Sequence, residues 1–337
     1  MTVRDNIAIA FDRDELRERF EMFRSSAVSD TQFQAICPVK DYHKWNMSEA
    51  RRNVRGDKKW EKRMQVVNYR PFDKRWIFYS PDIITYPNFR VMDQFKRKNL
   101  GLISSRIHKG EEHAHEFATR EIVEIIFLSS KSSNNAFLFP LYIFDADGDL
   151  VLKEDGIPNF GREFLKQLAG NLGLRQQQPS GLPQGLTPED IFHYAYAVLH
   201  SPGYRSRYAE FLKFEFPRLP LTGNLELFRA LARLGGELTA LHLLESTKLA
   251  QPITAFIGGQ NPSPEKISWS KNTVWLDKAQ TSGFNGVREE IWNFHIGGYQ
   301  VCTSGWTTAE RQSGRSLRMT SSTTRGSSSL SRKPYAS

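Results

Sequence analysis

The strongest constraint on the fold of this chain is a change of sequence pattern near its middle. Residues 66–171 contain short runs rich in Val, Ile, Phe and Tyr, which are typical of β-strands. Residues 187–302 contain longer runs with apolar residues at helical spacing. A stretch rich in Gln, Pro and Gly, residues 172–186, separates the two and predicts a linker. The sequence therefore predicts an α+β fold in which a β-rich half precedes a mainly helical half.

The β-rich half is predicted to begin with a hairpin. Residues 66–70 and 75–79 are expected to form its strands, and Pro71 is expected to open the turn between them. Further strands are predicted at residues 100–104, 122–128 and 136–144. The last of these runs is dense in Phe, Leu and Ile, so we expect it to lie in the core. The connections between the strands carry several Arg and Lys residues.

Residues 1–65 are polar and are predicted to be mostly helical. Asp12 or Asp14 can cap a first helix. The apolar stripe of this helix consists of Leu16, Phe20 and Phe23. A second helix is predicted at residues 48–64, which are dense in Lys and Arg. This charge run permits two interpretations, a solvated helix face or a surface that faces phosphates.

The helical half opens with a clear start signal, because Thr187 can act as the N-cap and Pro188 fits the first helical position. This helix is expected to end near His200, and a second helix is expected at residues 204–214. The longest helix is predicted at residues 225–244. Its apolar face is predicted to consist of Leu227, Leu231, Leu234, Leu238 and Leu241. Such a stripe can serve as core or as a docking surface for a protein partner.

The charge of the chain is compatible with a polyanionic partner. Its formal net charge is +9, although residues 303–337 carry much of the excess. The sequence contains no phosphate-binding glycine loop and no nucleophile elbow. Two cysteines are too few for a disulfide framework or a thiolate metal site. Because we see neither a signal peptide nor an apolar run long enough to cross a bilayer, we expect a cytoplasmic protein with no membrane contact.

Two segments hold residue types that bind metals, but their spacing argues against a metal site. His113 and His115 lie in a Glu-rich loop without a partner cluster, so a solvated loop is expected. The alternating aspartates around Gly148 are similar to the start of a calcium loop, yet Gly156 stands where the closing glutamate is needed. We therefore predict no metal site and no catalytic centre in this chain.

Several blocks of the sequence occur together in the order of one known family. The first is Tyr-Arg-Pro-Phe-Asp-Lys-Arg-Trp at residues 69–76. The others lie at residues 99–106, 139–142, 186–192, 196–202, 212–220 and 292–301. With these blocks the chain resembles the C-terminal specificity region of type ISP restriction–modification enzymes.

The resemblance implies that the chain reads a short asymmetric sequence in duplex DNA as part of a larger enzyme. In that family one polypeptide also carries a nuclease, an ATP-driven motor and an adenine methyltransferase. S-adenosylmethionine, ATP and Mg²⁺ are expected to bind only in those missing domains, and no cofactor is expected in this chain. Residues 1–65 resemble the end of the methyltransferase domain. The expected partners are double-stranded DNA and the methyltransferase and motor domains.

The end of the chain departs from the family pattern. Before this departure, the helical half is predicted to contain a small hairpin, made by residues 267–269 and 274–276.

From residue 303 the sequence is rich in Ser and Thr and poor in aromatic residues, which predicts a disordered tail. The family would be expected to continue with a Lys-Trp-Leu-rich segment. We therefore interpret the chain as truncated and residues 303–337 as an out-of-frame tail that follows a frameshift near codon 302.

These observations predict a sequence-specific DNA-recognition module without a catalytic centre of its own. Two alternatives stay open: a specificity half that completes a separately encoded methyltransferase in trans, and a non-functional remnant or protein-interaction module. Because Arg can bind guanine bidentately and Lys can hold phosphates, the candidate DNA contacts are basic residues of the β-rich half. They are Arg70, Lys74, Arg75, Arg90, Arg106, Lys109 and Arg120. For Arg70 and Arg75 the structural alternative is an ion pair with Asp73 or Asp82.

Overall fold

The structure is a computed structural model that describes residues 4–41, 44–107, 115–129, 135–144, 156–259 and 264–303. It confirms an α+β fold with helices and several small sheets. Apart from Thr303, the tail predicted to be disordered lies outside the described residues. The chain divides into two compact units, a larger one within residues 1–30, 39–251 and 295–299 and a smaller one within residues 31–38, 252–294 and 300–337. The domain boundaries expected at residues 66, 172, 187 and 303 stay predictions.

Several of the helices begin at a capping side chain. They are α1 (Asp5–Ala8), α2 (Arg13–Arg24), α3 (Asp30–Ile36), α4 (Met47–Gly56), α5 (Phe89–Met92), α6 (Arg162–Leu172), α7 (Pro188–His200), α8 (Pro202–Arg207), α9 (Ala209–Leu212), α10 (Leu225–His242) and α11 (Glu289–Trp292). Asp12 accepts the Glu15 backbone N–H at 2.7 Å, as predicted for the start of α2. Thr187 forms a capping box with Asp190 at the start of α7, which confirms the strongest predicted helix start.

The strands form separate sheets in each unit. They are β1 (Ile9–Ala10), β2 (Met64–Arg70), β3 (Asp73–Phe78), β4 (Gly101–Ser105), β5 (Phe117–Thr119), β6 (Ile122–Val123), β7 (Ala136–Pro140), β8 (Tyr142–Ile143), β9 (Ile157–Pro158), β10 (Ala255–Ile257), β11 (Ser268–Ser270), β12 (Thr273–Trp275), β13 (Gly283–Asn285), β14 (His295–Ile296) and β15 (Tyr299–Gln300). In the larger unit the sheet orders are β1-β3-β2-β6, β5-β4-β7 and β8-β9. In the smaller unit the order is β10-β13-β12-β11, and the predicted hairpin is confirmed as β11–β12.

The predicted helix at residues 48–64 is wrong in its second half. α4 ends at Gly56, and a 3₁₀ turn at Trp60–Arg63 leads into β2. Arginine side chains bind carbonyl oxygens that have no hydrogen-bond partner within their helix. Arg24 Nε donates to a carbonyl oxygen in the last turn of α4 at 3.0 Å, and the buried Arg51 Nε donates to one in the last turn of α2 at 2.8 Å. Arg51 of the charge run therefore stabilises the C-terminus of α2, and Arg24 of α2 stabilises that of α4.

The predicted leucine face of α10 is wrong in part, because Leu231 and Leu238 do pack, half-buried, against the core, whereas two other leucines do not. Leu227 and Leu234 are about half exposed, at 48% and 50%. The buried face instead consists of Phe228, Ala232, Gly235 and Thr239. Small residues on this face let α10 approach α7 closely, and the ring of Phe228 stacks on Tyr194 at 4.6 Å. Close backbone approach, and not leucine content, selects the buried side.

Two strand predictions are wrong in part. In the run at residues 136–144, Phe137 and Phe139 are 41% and 43% exposed, because side chains alternate between the two faces of β7 and these two point away from the core. The run at residues 122–128 is a strand only over β6. Its chain turns because the Glu124 carboxylate accepts the Ile126 backbone N–H at 2.8 Å.

A buried polar cluster lies where the strands meet the helices of the larger unit. The Tyr196 hydroxyl is 2.5 Å from His242 Nδ1, and His200 Nδ1 is 2.9 Å from the Tyr196 carbonyl oxygen. Arg205 lies 3.5 Å from the fully buried carboxylate of Glu116. Burial, reinforced by the charge of Arg205, lowers the pKa of His200 to about 4, and burial also lowers the pKa of His242 to about 4. Both imidazoles are therefore uncharged at physiological pH.

We predict that this histidine pair makes the stability of the domain depend on pH. Between the ordinary pKa of 6.5 and about 4, the unfolded chain binds protons that the folded histidines do not, so the free energy of unfolding falls as the pH is lowered. The free energy of unfolding, measured with urea at several pH values in this window, should depend less steeply on pH in the double variant His200→Gln, His242→Gln. A control variant of exposed His295, His295→Gln, should keep the wild-type slope. Equal slopes for all three proteins would contradict the buried, neutral state of the pair.

Candidate nucleic-acid interface

The β2–β3 hairpin carries the first sequence block and is closed by an unusual turn. Pro71 and Phe72 lie between the strands, and Phe72 has a φ of 62°, which a residue with a Cβ rarely adopts. The Phe72 ring packs edge-on against Phe117 at 5.2 Å and against His242 at 6.1 Å. These contacts with the rest of the larger unit hold the turn in its left-handed conformation.

Both arginines of the hairpin stack on aromatic rings. The Arg75 guanidinium lies 3.8 Å from the ring centroid of Tyr69 and 4.5 Å from that of Phe11. The Arg70 guanidinium lies 3.9 Å from the centroid of Tyr69 and 5.4 Å from that of Tyr299. We call these five residues the arginine ladder. Tyr69 is its centre, because it contacts both cations.

The same guanidinium groups are paired with buried carboxylates. Arg75 donates from Nε to Asp73 Oδ1 at 3.0 Å and from Nη2 to Oδ2 at 2.6 Å, and both side chains are less than a tenth exposed. Arg70 Nη1 donates to Glu124 Oε2 at 2.9 Å. The ion pair with Asp73 that was considered for these arginines is therefore present for Arg75. Arg70 uses Glu124 in place of Asp73 or Asp82.

The phenol of Tyr69 is fixed by an acid from the start of the chain. Its hydroxyl donates to Asp5 Oδ2 at 2.8 Å. Burial and the negative charge of Asp5 raise the pKa of Tyr69 to about 12, so the hydroxyl stays protonated. Burial also raises the pKa of Asp5 above its usual value. The ladder is thereby joined to α1 as well as to the hairpin.

Lys74 and Arg120 belong to a surface of mixed charge. Lys74 is 45% exposed, and its Nζ lies 3.8 Å from the carboxylate of Glu121. Arg120 donates from Nε and Nη2 to the two oxygens of Glu245 at 2.6 and 2.9 Å. These hydrogen bonds raise the pKa of Arg120 and lower that of Glu245. Arg120 thus connects the turn after β5 to the segment after α10.

Arg90 and Arg106 are exposed and are not members of the ladder. Arg90 is on α5 and not in a loop as predicted, because residues 89–92 form a turn of helix that follows Asn88. Arg106 comes directly after β4. Within the part of the chain that the structure describes, neither arginine forms an ion pair. Lys109 lies outside the described residues.

Nearly the whole chain matches one known protein family. The model of the type ISP C-terminal specificity domain matches residues 1–328. The chain belongs to this family. The resemblance seen in the sequence blocks is thereby confirmed, and the match includes the whole arginine ladder. Because the match also extends into the Ser- and Thr-rich tail, the frameshift near codon 302 stays a prediction. No curated protein matches the specificity domain.

Three solved structures share the fold of the specificity domain. A DrdV–DNA complex solved by cryo-electron microscopy aligns with a TM-score of 0.64 and 20% identity, over 92% of this chain and 30% of that one. The ATP-dependent type ISP restriction–modification enzyme LlaBIII bound to DNA aligns with a TM-score of 0.63 and 18% identity, over 89% and 19%. A nuclease-deletion mutant of the type ISP enzyme LlaGI, in complex with a DNA substrate mimic, aligns with a TM-score of 0.56 and 16% identity, over 88% and 22%. The specificity domain therefore spans less than a third of each of these chains.

Sequence reasoning did not find the partners of the candidate arginines. Phe11, Glu124 and Glu245 lie far along the chain from Arg75, Arg70 and Arg120, respectively, and no short motif links them. Tyr299 had a signal, since it belongs to the last of the family blocks, but its contact with Arg70 was not predicted.

The described part of the chain contains no cluster of metal-binding side chains and no membrane-spanning helix. No group of three or more His, Cys, Asp or Glu side chains there could hold a metal ion. No helix there is both long and apolar enough to cross a membrane. His113 and the aspartates around Gly148 lie outside the described residues, whereas His115 is buried, so the expected solvated loop is wrong at this residue.

Proposed function

We propose that the specificity domain recognises a short duplex DNA sequence for a restriction–modification enzyme. The observation that carries this proposal is the family match over residues 1–328. It is supported by three structures of the same fold that are DNA complexes, and by the formal net charge of +9. In this proposal, other domains of the parent enzyme methylate and translocate DNA, and those domains bind S-adenosylmethionine, ATP and Mg²⁺. The parent enzyme is proposed to be cytoplasmic.

The exposed cations are the proposed DNA contacts. Lys74, Arg90 and Arg106 present charge to solvent. Lys74 has only a long contact with Glu121, of 3.8 Å, so approach of a phosphate can displace it at little cost. We assign Lys74 to a phosphate and Arg106 to a base edge, because a guanidinium at the end of a strand can donate two hydrogen bonds to guanine. Lys109 remains a proposed contact of the same kind.

We propose that the other three arginines do not contact DNA themselves. They hold neighbouring residues in the positions that DNA binding requires. Arg70, Arg75 and Arg120 each donate to a carboxylate, and the partners of the first two are buried. Moving Arg70 or Arg75 onto DNA would leave a buried carboxylate without compensation, which is costly. In this account they hold the hairpin that presents Lys74.

This division predicts different defects for single variants of the exposed cations. Arg106→Ala should weaken binding to the recognised sequence by ~1–3 kcal/mol and leave binding to unrelated duplexes nearly unchanged. Lys74→Ala should weaken binding to every duplex and reduce the slope of log K against log salt by about 0.9. Fluorescence anisotropy titrations over a range of salt concentrations measure both effects. Exposed Lys166 on α6 provides the control: a Lys166→Ala defect equal to that of Lys74→Ala would indicate a general charge effect and remove the assignment.

A further inference from the structure

Three lysines between α4 and β2 have exposed side chains. Lys58, Lys59 and Lys62 form no ion pair with any residue that the structure describes. We call them the lysine strip. They belong to the charge run for which the sequence permits a solvated face or a phosphate-facing surface. Two arginines of that run, Arg51 and Arg55, donate to backbone carbonyl oxygens, whereas no lysine side chain of the strip does so within the described residues.

Nearby carboxylates do not neutralise the lysine strip. Asp57 accepts from Arg63 Nε at 3.0 Å and from the Lys59 backbone N–H at 2.7 Å. Glu61 lies 3.4 Å from the guanidinium of Arg17, which also pairs with Glu21 at 3.1 Å. Each acidic side chain of the segment therefore has an arginine as its charge partner. The positive charge of the three lysine side chains is left for another partner.

The lysine strip stands on a rigid support. Trp60 is buried, and the Arg24 guanidinium lies 4.7 Å from its ring centroid. The Lys62 backbone N–H donates to the Lys59 carbonyl oxygen at 2.9 Å, and residues three apart in a 3₁₀ turn lie above one another, so these two lysines share a side. The Arg63 carbonyl oxygen then accepts the Tyr79 N–H at 2.8 Å, at the open end of the β2–β3 hairpin. The strip is thus attached directly to the hairpin.

We propose that the lysine strip binds backbone phosphates of duplex DNA beside the recognised sequence. The proposal rests on the proposed function, in which the hairpin lies on that sequence. β2 begins at Met64, two residues after the strip, and Asn68 of β2 pairs with Lys74. At ~3.3 Å per residue, Met64 and Asn68 are about 13 Å apart. This distance corresponds to about four base pairs at ~3.4 Å each. Lysine ammonium groups contact phosphates without reading bases, so the strip extends the footprint on one side without adding sequence information.

The test compares three variants of the full chain. The strip variant is Lys58→Gln, Lys59→Gln, Lys62→Gln, and its charge-matched control replaces three exposed lysines elsewhere, Lys166→Gln, Lys266→Gln, Lys278→Gln. Against wild type, the strip variant should lose affinity by at least about tenfold and lower the salt slope by about 2 to 3, at ~0.9 per phosphate. The control should change both quantities much less. Arginine at the three strip positions should restore wild-type binding.

Duplex length provides the second readout. Wild type should gain affinity when the duplex is extended by about four base pairs on one side of the recognised sequence, and the strip variant should not. The contrary result is that wild type and the strip variant bind a defined sequence with the same slope of log K against log salt and the same dependence on duplex length. That result overturns this inference and leaves the proposed function intact. Strip-dependent binding without any preferred sequence would support the strip and overturn the proposed function. If folded wild type binds no duplex, both are overturned.

Discussion

Replacing Arg75 by alanine is expected to lower the free energy of unfolding by ~3–5 kcal/mol. The substitution leaves the Asp73 carboxylate buried without its bidentate partner, whose donors lie 3.0 and 2.6 Å away. It also removes the cation that stacks on Tyr69 and Phe11. Urea unfolding followed by circular dichroism measures the effect as a shift of the midpoint.

Two further variants separate the ion pair from the other contacts of Arg75. Arg75→Lys keeps the charge but lacks the planar fork, so an intermediate loss of stability is expected. The double variant Asp73→Leu, Arg75→Met removes both charges and should be more stable than Arg75→Ala, because no charge is left unpaired in the core. If Arg75→Ala abolished DNA binding with an unchanged unfolding midpoint, Arg75 would be a DNA contact and the ladder would not be structural.

The second large effect is expected for Gly235→Ala, at about 3 kcal/mol of lost stability. On helix propensity alone, alanine should stabilise the interior of α10 by about 1 kcal/mol. A Cβ at Gly235 would instead overlap the His193 carbonyl oxygen of α7 and lie 2.7 Å from its carbonyl carbon. Because the obstacle is backbone, it cannot rotate away, and the two helices must separate.

Gly170→Ala is the matched control for this substitution. Gly170 is exposed on α6, and a Cβ there meets nothing within 4 Å. Alanine at Gly170 should therefore raise the thermal unfolding temperature slightly, while alanine at Gly235 lowers it strongly. An increase in stability for both variants would show that α7 and α10 are not in close backbone contact.

The fold was predictable where local chemistry decides it. Thr187 and Asp12 cap their helices as expected, since a cap depends on neighbours only a few residues away. The buried side of α10 was not predictable in the same way. The spacing of hydrophobic residues predicts that leucines such as Leu227 and Leu234 are buried. Close approach to α7 instead requires small residues such as Gly235, which a hydrophobic pattern does not identify.

The candidate interface shows the same limit for charged residues. The block at residues 69–76 indicated a hairpin with functional arginines, and the hairpin is present. Whether an arginine binds DNA or a carboxylate depends on groups distant in the chain, because both uses require the same residue type. Glu124 and Glu245 decide this for Arg70 and Arg120, and neither contact has a local sequence signal.

The most direct test of DNA recognition is a selection from random duplex DNA with the full chain at physiological salt. Sequencing of the bound pool reports whether the domain prefers a sequence without its parent enzyme. We predict enrichment of one short asymmetric motif, and its Arg106→Ala variant should lose preference at a single position of that motif. A pool that stays random, from protein shown to be folded by circular dichroism, would contradict the account of this chain as a sequence-specific reader.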